Sequence, residues 1–145
     1  MKQLRVLVAE DNEDHRFLTM RALRDVKGAN IKVDGVRNGE EALAYVTQQG
    51  EYADKELPHV IFLDLRMPKM NGLEVLERIK GDPELSTIPV VVLTSSDRSE
   101  DIDAAYRLGT NSYVTKPGVA EDLRRGLREV ADYWTVGSAL PHVDS

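Results

Sequence analysis

Val60-Ile61-Phe62-Leu63-Asp64-Leu65-Arg66-Met67-Pro68 is an apolar run that ends on a carboxylate and then on a proline. A run rich in Val, Ile, Phe and Leu, with no polar alternation, predicts a strand buried on both faces. Such strands belong to parallel sheets covered by helices. In an open sheet of that kind, ligands bind just outside the carboxyl ends of the strands. Asp64 therefore stands where the fold places chemistry. Asp is also depleted from strands and common in turns, so on this stretch alone it can equally be a strand terminator.

The flanking sequence repeats the pattern. Leu4–Ala9 reads as a first, largely apolar strand that ends in the acidic turn Glu10-Asp11-Asn12-Glu13-Asp14. His15 to Val26 carries Phe17, Leu18, Ala22, Leu23 and Val26 at helical spacing, with Gly28 placed to stop it. Ile31–Val36 reads as a strand near the sheet edge. Asn38 is placed to cap a helix bearing Ala42, Leu43 and Val46, and Glu51–Pro58 reads as a polar surface loop. After the opening stretch, Asn71 is the expected cap of a third helix bearing Leu73, Val75, Leu76 and Ile79, which Asp82-Pro83 breaks. Ile88–Leu93 is a second buried run and ends in Thr94-Ser95-Ser96-Asp97. A fourth helix is expected near Glu100–Leu108. A short strand, Ser112–Thr115, then runs into Lys116-Pro117-Gly118. The last helix carries Leu123, Leu127, Val130, Ala131 and Trp134. Strand and helix alternate five times, which predicts an α/β fold with a parallel five-stranded sheet and right-handed crossovers. One domain over residues 1–136 and a short tail over 137–145 are expected.

Bulk properties narrow the function. The chain has 145 residues, 41% of them hydrophobic and 30% charged, an ordinary globular mix for one domain. A net charge of −6 argues against a phosphate-backbone-binding face, so no nucleic acid partner is expected. The absence of cysteine excludes a disulfide framework and a thiolate metal site, and it fits a cytoplasmic protein. The N-terminus has no signal-peptide pattern, and no run approaches the ~20 apolar residues of a membrane span.

The polar residues that follow the strands carry the chemistry. Glu10 and Asp11 follow the first strand, Asp64 the third, Thr94 and Ser95 the fourth, and Lys116 the fifth. Three carboxylates at one sheet edge repel one another, and a hard divalent cation such as Mg²⁺ offsets that repulsion. A hydroxyl at Thr94 and an ammonium at Lys116 suit the oxygens of a phosphoryl group. Each residue also has a simpler use taken singly. Glu10 and Asp11 can complement the dipole of the first helix, Thr94 can cap the fourth, and Lys116 can be a solvated loop lysine. His15 reads as a solvated first-turn residue close enough to the site to influence access, and His59 and His142 show no ligand partners.

The motifs Val8-Ala9-Glu10-Asp11-Asn12, Leu63-Asp64-Leu65-Arg66-Met67-Pro68 with Asn71-Gly72, Leu93-Thr94-Ser95 and Tyr113-Val114-Thr115-Lys116-Pro117 are specific in combination. With them the chain resembles bacterial two-component response-regulator receiver domains (CheY-like, of the single-domain type) from Leu4 to about Trp134. The resemblance implies a (βα)5 doubly wound sheet in the flavodoxin-like order 2-1-3-4-5. It implies Asp64 as phospho-acceptor for a sensor histidine kinase. Mg²⁺, for which Mn²⁺ or Ca²⁺ can substitute, would be held by Asp11, by Glu10 through water, by Asp64 and by the backbone carbonyl of Arg66. Thr94 would be the switch hydroxyl, Tyr113 the rotating aromatic and Lys116 the phosphate-binding lysine. The Lys116–Pro117 peptide is a candidate cis bond. Small Ser95 leaves access to the acceptor, while Arg66 and Ser96 flank it and would tune the lifetime of the acyl phosphate, with modest self-hydrolysis expected.

Output would pass through the fourth helix, fifth strand and fifth helix to a protein partner. Trp134 either caps the domain's own core or, with Tyr133, Val136, Leu140 and Val143, contributes to a homodimer interface. The Glu51–Leu57 loop and the Pro83–Pro89 segment resemble the single-domain regulators paired with bacterial phytochromes, which makes a bacteriophytochrome the expected kinase. Three rivals fit less well. A haloacid-dehalogenase-type phosphatase needs a second Asp where Arg66 stands. A flavodoxin-like nucleotide binder needs a Ser/Thr/Gly-rich loop where the acidic turn stands. A pseudo-receiver would be expected to lack Asp64 or Lys116.

Overall fold

The computed structural model describes residues 3–141. Strands β1 (Gln3–Ala9), β2 (Asn30–Val36), β3 (Val60–Leu63), β4 (Val90–Thr94) and β5 (Ser112–Thr115) alternate with helices α1 (Glu13–Arg24), α2 (Gly39–Val46), α3 (Gly72–Gly81), α4 (Ser99–Arg107) and α5 (Ala120–Asp132). The strands form one parallel sheet in the order β2-β1-β3-β4-β5.

Side chains alternate across the pleat, so each strand feeds two cores. Leu7, Ala9, Ile61, Leu63, Val90 and Val92 face one side, against Val75, Leu76 and Ile79 of α3 and Ala105 of α4. Val6, Val8, Val60, Phe62, Val91 and Leu93 face the other, against Leu23 of α1 and Leu123 and Leu127 of α5. Every residue of β3 and β4 is buried, which is why both strands read as unbroken apolar runs.

Caps fix where the helices begin. The side chains of Asn12, Asn38 and Asn71 accept the backbone N–H groups of His15, Glu41 and Glu74. Asn38 and Asn71 are the expected caps. Asn12 starts α1 at Glu13, two residues before the expected start at His15. Gly109, at φ +102, takes the left-handed conformation that ends the α4 segment.

The polar segment after α2 is anchored to β2 and β1. Tyr45 donates to Asp34 at 2.6 Å, Lys55 pairs with Asp34 at 3.3 Å, and Arg5 donates through Nε to the Leu57 carbonyl at 2.8 Å. His59 accepts the Arg5 backbone N–H through Nδ1 at 2.9 Å. The Lys80 ammonium of α3 donates to the carbonyls of Ser86 and Ile88 and to Asn111 Oδ1, which binds the segment after α3 to the start of β5.

Helix α5 continues into a π-helical turn, Tyr133–Gly137. Trp134 is half-buried and packs with Leu140 against the α1–α5 core. Of its two expected uses, the buried part of Trp134 serves the core. Tyr133 meets it edge to face at 5.4 Å and is itself exposed. Val143 and His142 lie outside the described residues.

Gly72 fixes the distance between α3 and the end of β3. A Cβ at this position would stand 2.3 Å from the Asp64 carbonyl oxygen and 2.6 Å from Leu65 Cα, so backbone would have to move. Gly72→Ala is therefore expected to destabilise the fold by about 1–3 kcal/mol, the usual range for overpacking. Urea unfolding measures it, and a loss below about 0.5 kcal/mol, the range of ordinary surface substitutions, would contradict the close approach.

Candidate functional site

The sheet register sets the site. The Glu10 N–H donates to the Val36 carbonyl at 3.0 Å, and the Asp64 N–H to Ala9 at 3.0 Å. The Lys116 N–H donates to Thr94 at 2.7 Å. These bonds carry the ladders one residue past the strands. They bring Glu10, Asp64, Thr94 and Lys116 level at the carboxyl edge, as the strand-end reading expects. With Asp11, His15, Arg66 and Ser95 they line an open pocket of ≈ 220 Å³. A larger groove of ≈ 700 Å³ between α1 and α5 is lined by Asp25, Lys27, Arg128 and Asp132 with Tyr133 and Val136, away from the strand ends.

The centre of the pocket is a buried ammonium. Lys116 Nζ stands 2.6 Å from Glu10 Oε1, 3.5 Å from Asp64 Oδ2 and 2.9 Å from His15 Nδ1. Lys116 is 6% exposed, Glu10 4% and Asp64 7%, so none of the three is a solvated loop group. Glu10 also accepts the Asn12 N–H at 3.1 Å, while Glu13 and Asp14 supply the negative charge in the first turn of α1. Glu10 is thus turned inward to the lysine and is not spent on the helix dipole.

The two buried carboxyls divide one proton unequally. Burial is the main force that pushes Glu10 up, to about 7, helped by its hydrogen bond with Asp64 and opposed by Lys116. Burial also pushes Asp64 up, but the Glu10 hydrogen bond, the Lys116 charge, the Thr94 hydroxyl and the Arg66 N–H outweigh it. They hold its carboxyl below the usual range. Asp64 is therefore the ionised member of the pair. Arg66 contributes its backbone N–H to Asp64 Oδ1 at 3.2 Å, and its side chain is exposed.

Glu10, Asp11 and Asp64 each offer a carboxylate oxygen, all within 4.8 Å of one another. Hard oxygen donors in this number, with one exposed residue open to water, fit an oxygen-loving divalent cation.

The fourth strand leads into a linked set of polar groups. Thr94 is fully buried and its hydroxyl accepts the Ser96 N–H at 3.4 Å. The Ser96 hydroxyl donates to Asp101 on α4 at 2.5 Å, and the Ser96 carbonyl accepts the Tyr113 hydroxyl at 2.8 Å. Thr94 does not cap α4, whose cap position is Arg98, without a side-chain bond. Tyr113 packs against the α2–α3–α4 core. Among the described residues every peptide is trans, so the expected cis bond before Pro117 is a correction. Lys116 has its N–H bound to Thr94 and its ammonium on Glu10 with the following peptide trans, the majority state of X-Pro bonds.

Two contacts go beyond what the sequence suggests. His15 touches Lys116, and Asp101 joins Thr94 and Tyr113 through Ser96. The capping of α1 by Asn12 is the local signal that turns His15 toward the strand ends. Asp101 lies five residues after Ser96, in the first turn of α4, and nothing in its spacing singles it out.

Fold and site together define a signalling domain, and comparison with known proteins gives its family. Residues 6–128 match the response regulator receiver domain, and the chain belongs to that family. It is 42% identical over 129 residues to the probable methanogenesis regulatory protein FilR2 of Methanothrix harundinacea, covering 89% of this chain and 82% of that protein. It is 37% identical over 136 residues to response regulator Rcp1 of Synechocystis sp., covering 94% and 92%. Among solved structures, the phosphorylated cyanobacterial phytochrome response regulator RcpA matches with a TM-score of 0.92 at 38% identity, over 97% of this chain and all of that one. The Mn²⁺-bound form of response regulator Rcp1 also matches with a TM-score of 0.92, at 36% identity, over 96% and 99%.

The raised Glu10 carboxyl makes stability pH-dependent. Its folded pKa, about 7, lies above the ordinary 4.5, so the folded state holds the proton more tightly than the unfolded chain. The resulting stabilisation is complete below about 4.5 and is lost as pH rises through about 7. In chelator, urea midpoints of the wild type are expected to fall from pH 5 to pH 8 relative to those of Glu10→Gln. Parallel midpoints across that range would contradict the assignment.

Proposed function

We propose that this receiver domain acts in a two-component phosphorelay, accepting a phosphoryl group on Asp64 from the phosphohistidine of a sensor histidine kinase. The observation that carries the proposal is the ionised Asp64 set between a buried ammonium, a buried hydroxyl and two further carboxylates. The phosphorus–nitrogen bond of the donor breaks as a phosphorus–oxygen bond to the Asp64 carboxylate forms, and the imidazole nitrogen keeps the electron pair. Such transfer depends on positioning and charge neutralisation more than on acid–base help. Lys116 neutralises one phosphoryl oxygen and Thr94 hydrogen-bonds another. Ser95, small and exposed, leaves the approach to Asp64 open. Mg²⁺, when bound, neutralises charge on the transferring group, and Glu10, Asp11, Asp64 and the Arg66 carbonyl are the residues that would hold it. The Mn²⁺-bound Rcp1 structure supports a divalent site in this family. Hydrolysis of the acyl phosphate by water returns the carboxylate. Arg66 and Ser96 offer no acid or amide to orient that water, which favours slow self-hydrolysis.

Output follows from the same contacts. Drawing Thr94 toward a phosphoryl oxygen loosens its hold on the Ser96 N–H, and Ser96 anchors both Tyr113 and Asp101. One buried hydroxyl is thereby joined to β5 and to the first turn of α4, a local event that biases a surface. The α4–β5–α5 face would carry the signal to a protein partner or to a second copy of the chain. Exposed Tyr106 on α4, Val119 before α5, and Tyr133 and Val136 beyond it support a homodimer that includes the Trp134 region. The resemblance to RcpA, a cyanobacterial phytochrome response regulator, and to the bacteriophytochrome response regulators RtBRR and AtBRR supports a bacteriophytochrome as the kinase, and a cytoplasmic location fits such a partner.

Incubation with acetyl phosphate and Mg²⁺ is expected to add one phosphoryl group to the wild type and none to Asp64→Asn, read by intact-protein and peptide mass spectrometry. Equal labelling of the two proteins would overturn the assignment. If the α4–β5–α5 face dimerises, replacing Tyr106 and Val119 by polar residues is expected to raise the dimer dissociation constant at least tenfold in sedimentation. Unchanged association would remove that face from the interface.

A further inference from the structure

Lys116 has three N–H donors, and two of its neighbours, Glu10 and Asp64, are carboxylates. The third neighbour is His15, whose Nδ1 lies 2.9 Å from Nζ, closer than the 3.5 Å to Asp64. An ammonium has no lone pair, so at this distance Nδ1 accepts the bond. The ring is therefore neutral and carries its proton on Nε2. An imidazolium would set two cations in contact. Burial, followed by the Lys116 charge, indeed holds His15 below the ordinary histidine range, against the opposite pull of Asp64, Asp14 and Asp11.

The backbone fixes the ring's approach. His15 is the third residue of α1, and its N–H is bound by the Asn12 cap at 3.0 Å. Its carbonyl accepts the Thr19 hydroxyl at 2.8 Å. The side chain thus projects from the rigid first turn toward a lysine 101 residues later in the chain. It is half-buried at the pocket wall, with its Nδ1 on Lys116.

We infer that His15 is a positioning residue for Lys116: it takes the third ammonium hydrogen bond and keeps Nζ from closing fully onto Asp64 before a phosphoryl group arrives. An ammonium clamped on the acceptor would screen the nucleophilic oxygens and would have to be pulled away during transfer. Held between Glu10 and His15, Nζ can turn to a phosphoryl oxygen by giving up the histidine bond alone. The inference rests on Asp64 being the phospho-acceptor, and its test separates the two claims.

The test compares wild type, His15→Leu and His15→Asn in acetyl phosphate and Mg²⁺. Asn places Oδ1 as many bonds from the backbone as Nδ1, so it keeps an acceptor for Nζ, whereas Leu has none. His15→Leu is expected to lower the maximal rate of acyl phosphate formation about tenfold, the scale of one hydrogen bond to a charged group, with little change in the apparent KM for acetyl phosphate. His15→Asn is expected to recover most of the loss. Equal rates for wild type and His15→Leu would overturn the inference, and so would a loss that Asn does not relieve. Wild type that takes no phosphate would instead remove the acceptor role of Asp64. In that event, or if His15→Leu does not fold, ¹⁵N NMR of the wild-type imidazole at pH 7 decides the pairing. An unprotonated Nδ1 whose shift moves in Lys116→Met supports it, and a protonated Nδ1 overturns it.

Discussion

The structure turns on one buried ammonium. Removing a lysine from water costs several kcal/mol unless charges and acceptors replace its hydration. Lys116 meets that requirement with Glu10, Asp64 and His15, which come from the ends of β1 and β3 and from the first turn of α1. The ion cluster therefore exists only when β1, β3 and β5 share one sheet in one register. The same contacts that make the burial tolerable leave Asp64 ionised and pass the retained proton to Glu10. Fold and chemistry depend on a single set of atoms.

The rest of the architecture serves that edge. Two apolar layers hold the sheet against helices on both sides, and the ladders extend one residue beyond β1, β3 and β5 to level the polar groups. Gly72 lets α3 begin against the Asp64 carbonyl. The opposite edge is closed by Lys80, another partly buried ammonium, but its acceptors are two carbonyls and an amide oxygen. Neutral acceptors hold a lysine in place without creating a nucleophile. The contrast shows why the carboxylates around Lys116 matter for function and not only for packing.

The sheet and the strand ends were legible in the sequence because both leave short-range marks. Apolar runs such as Ile88–Leu93 stop abruptly on polar residues, and Asn38 and Asn71 stand one residue before α2 and α3. Glu10, Asp11, Asp64, Thr94 and Lys116 could be gathered by topology alone. What depends on side-chain direction across long separations was not legible. The His15–Lys116 contact needs the exact tilt of the first turn of α1. The Ser96–Asp101 bond depends on where α4 begins, and α4 has no side-chain cap to mark its start. The trans peptide before Pro117 is likewise not encoded by any local motif. Trp134 is apolar enough for either a core or an interface, and only the packing of α5 against α1 shows that part of it is used inside.

The central claim is that the Lys116-centred carboxylate pocket receives a phosphoryl group and passes its arrival to β5 and α4. Beryllium trifluoride, a tetrahedral mimic of that group, tests it directly when titrated with Mg²⁺ and followed by NMR of the backbone amides. Saturable one-to-one binding is predicted, with shifts at Asp64, Thr94, Lys116, Ser96, Asp101 and Tyr113 and no binding to Asp64→Asn. Binding that survives Asp64→Asn, or binding that leaves Ser96 and Tyr113 unshifted, would contradict the account.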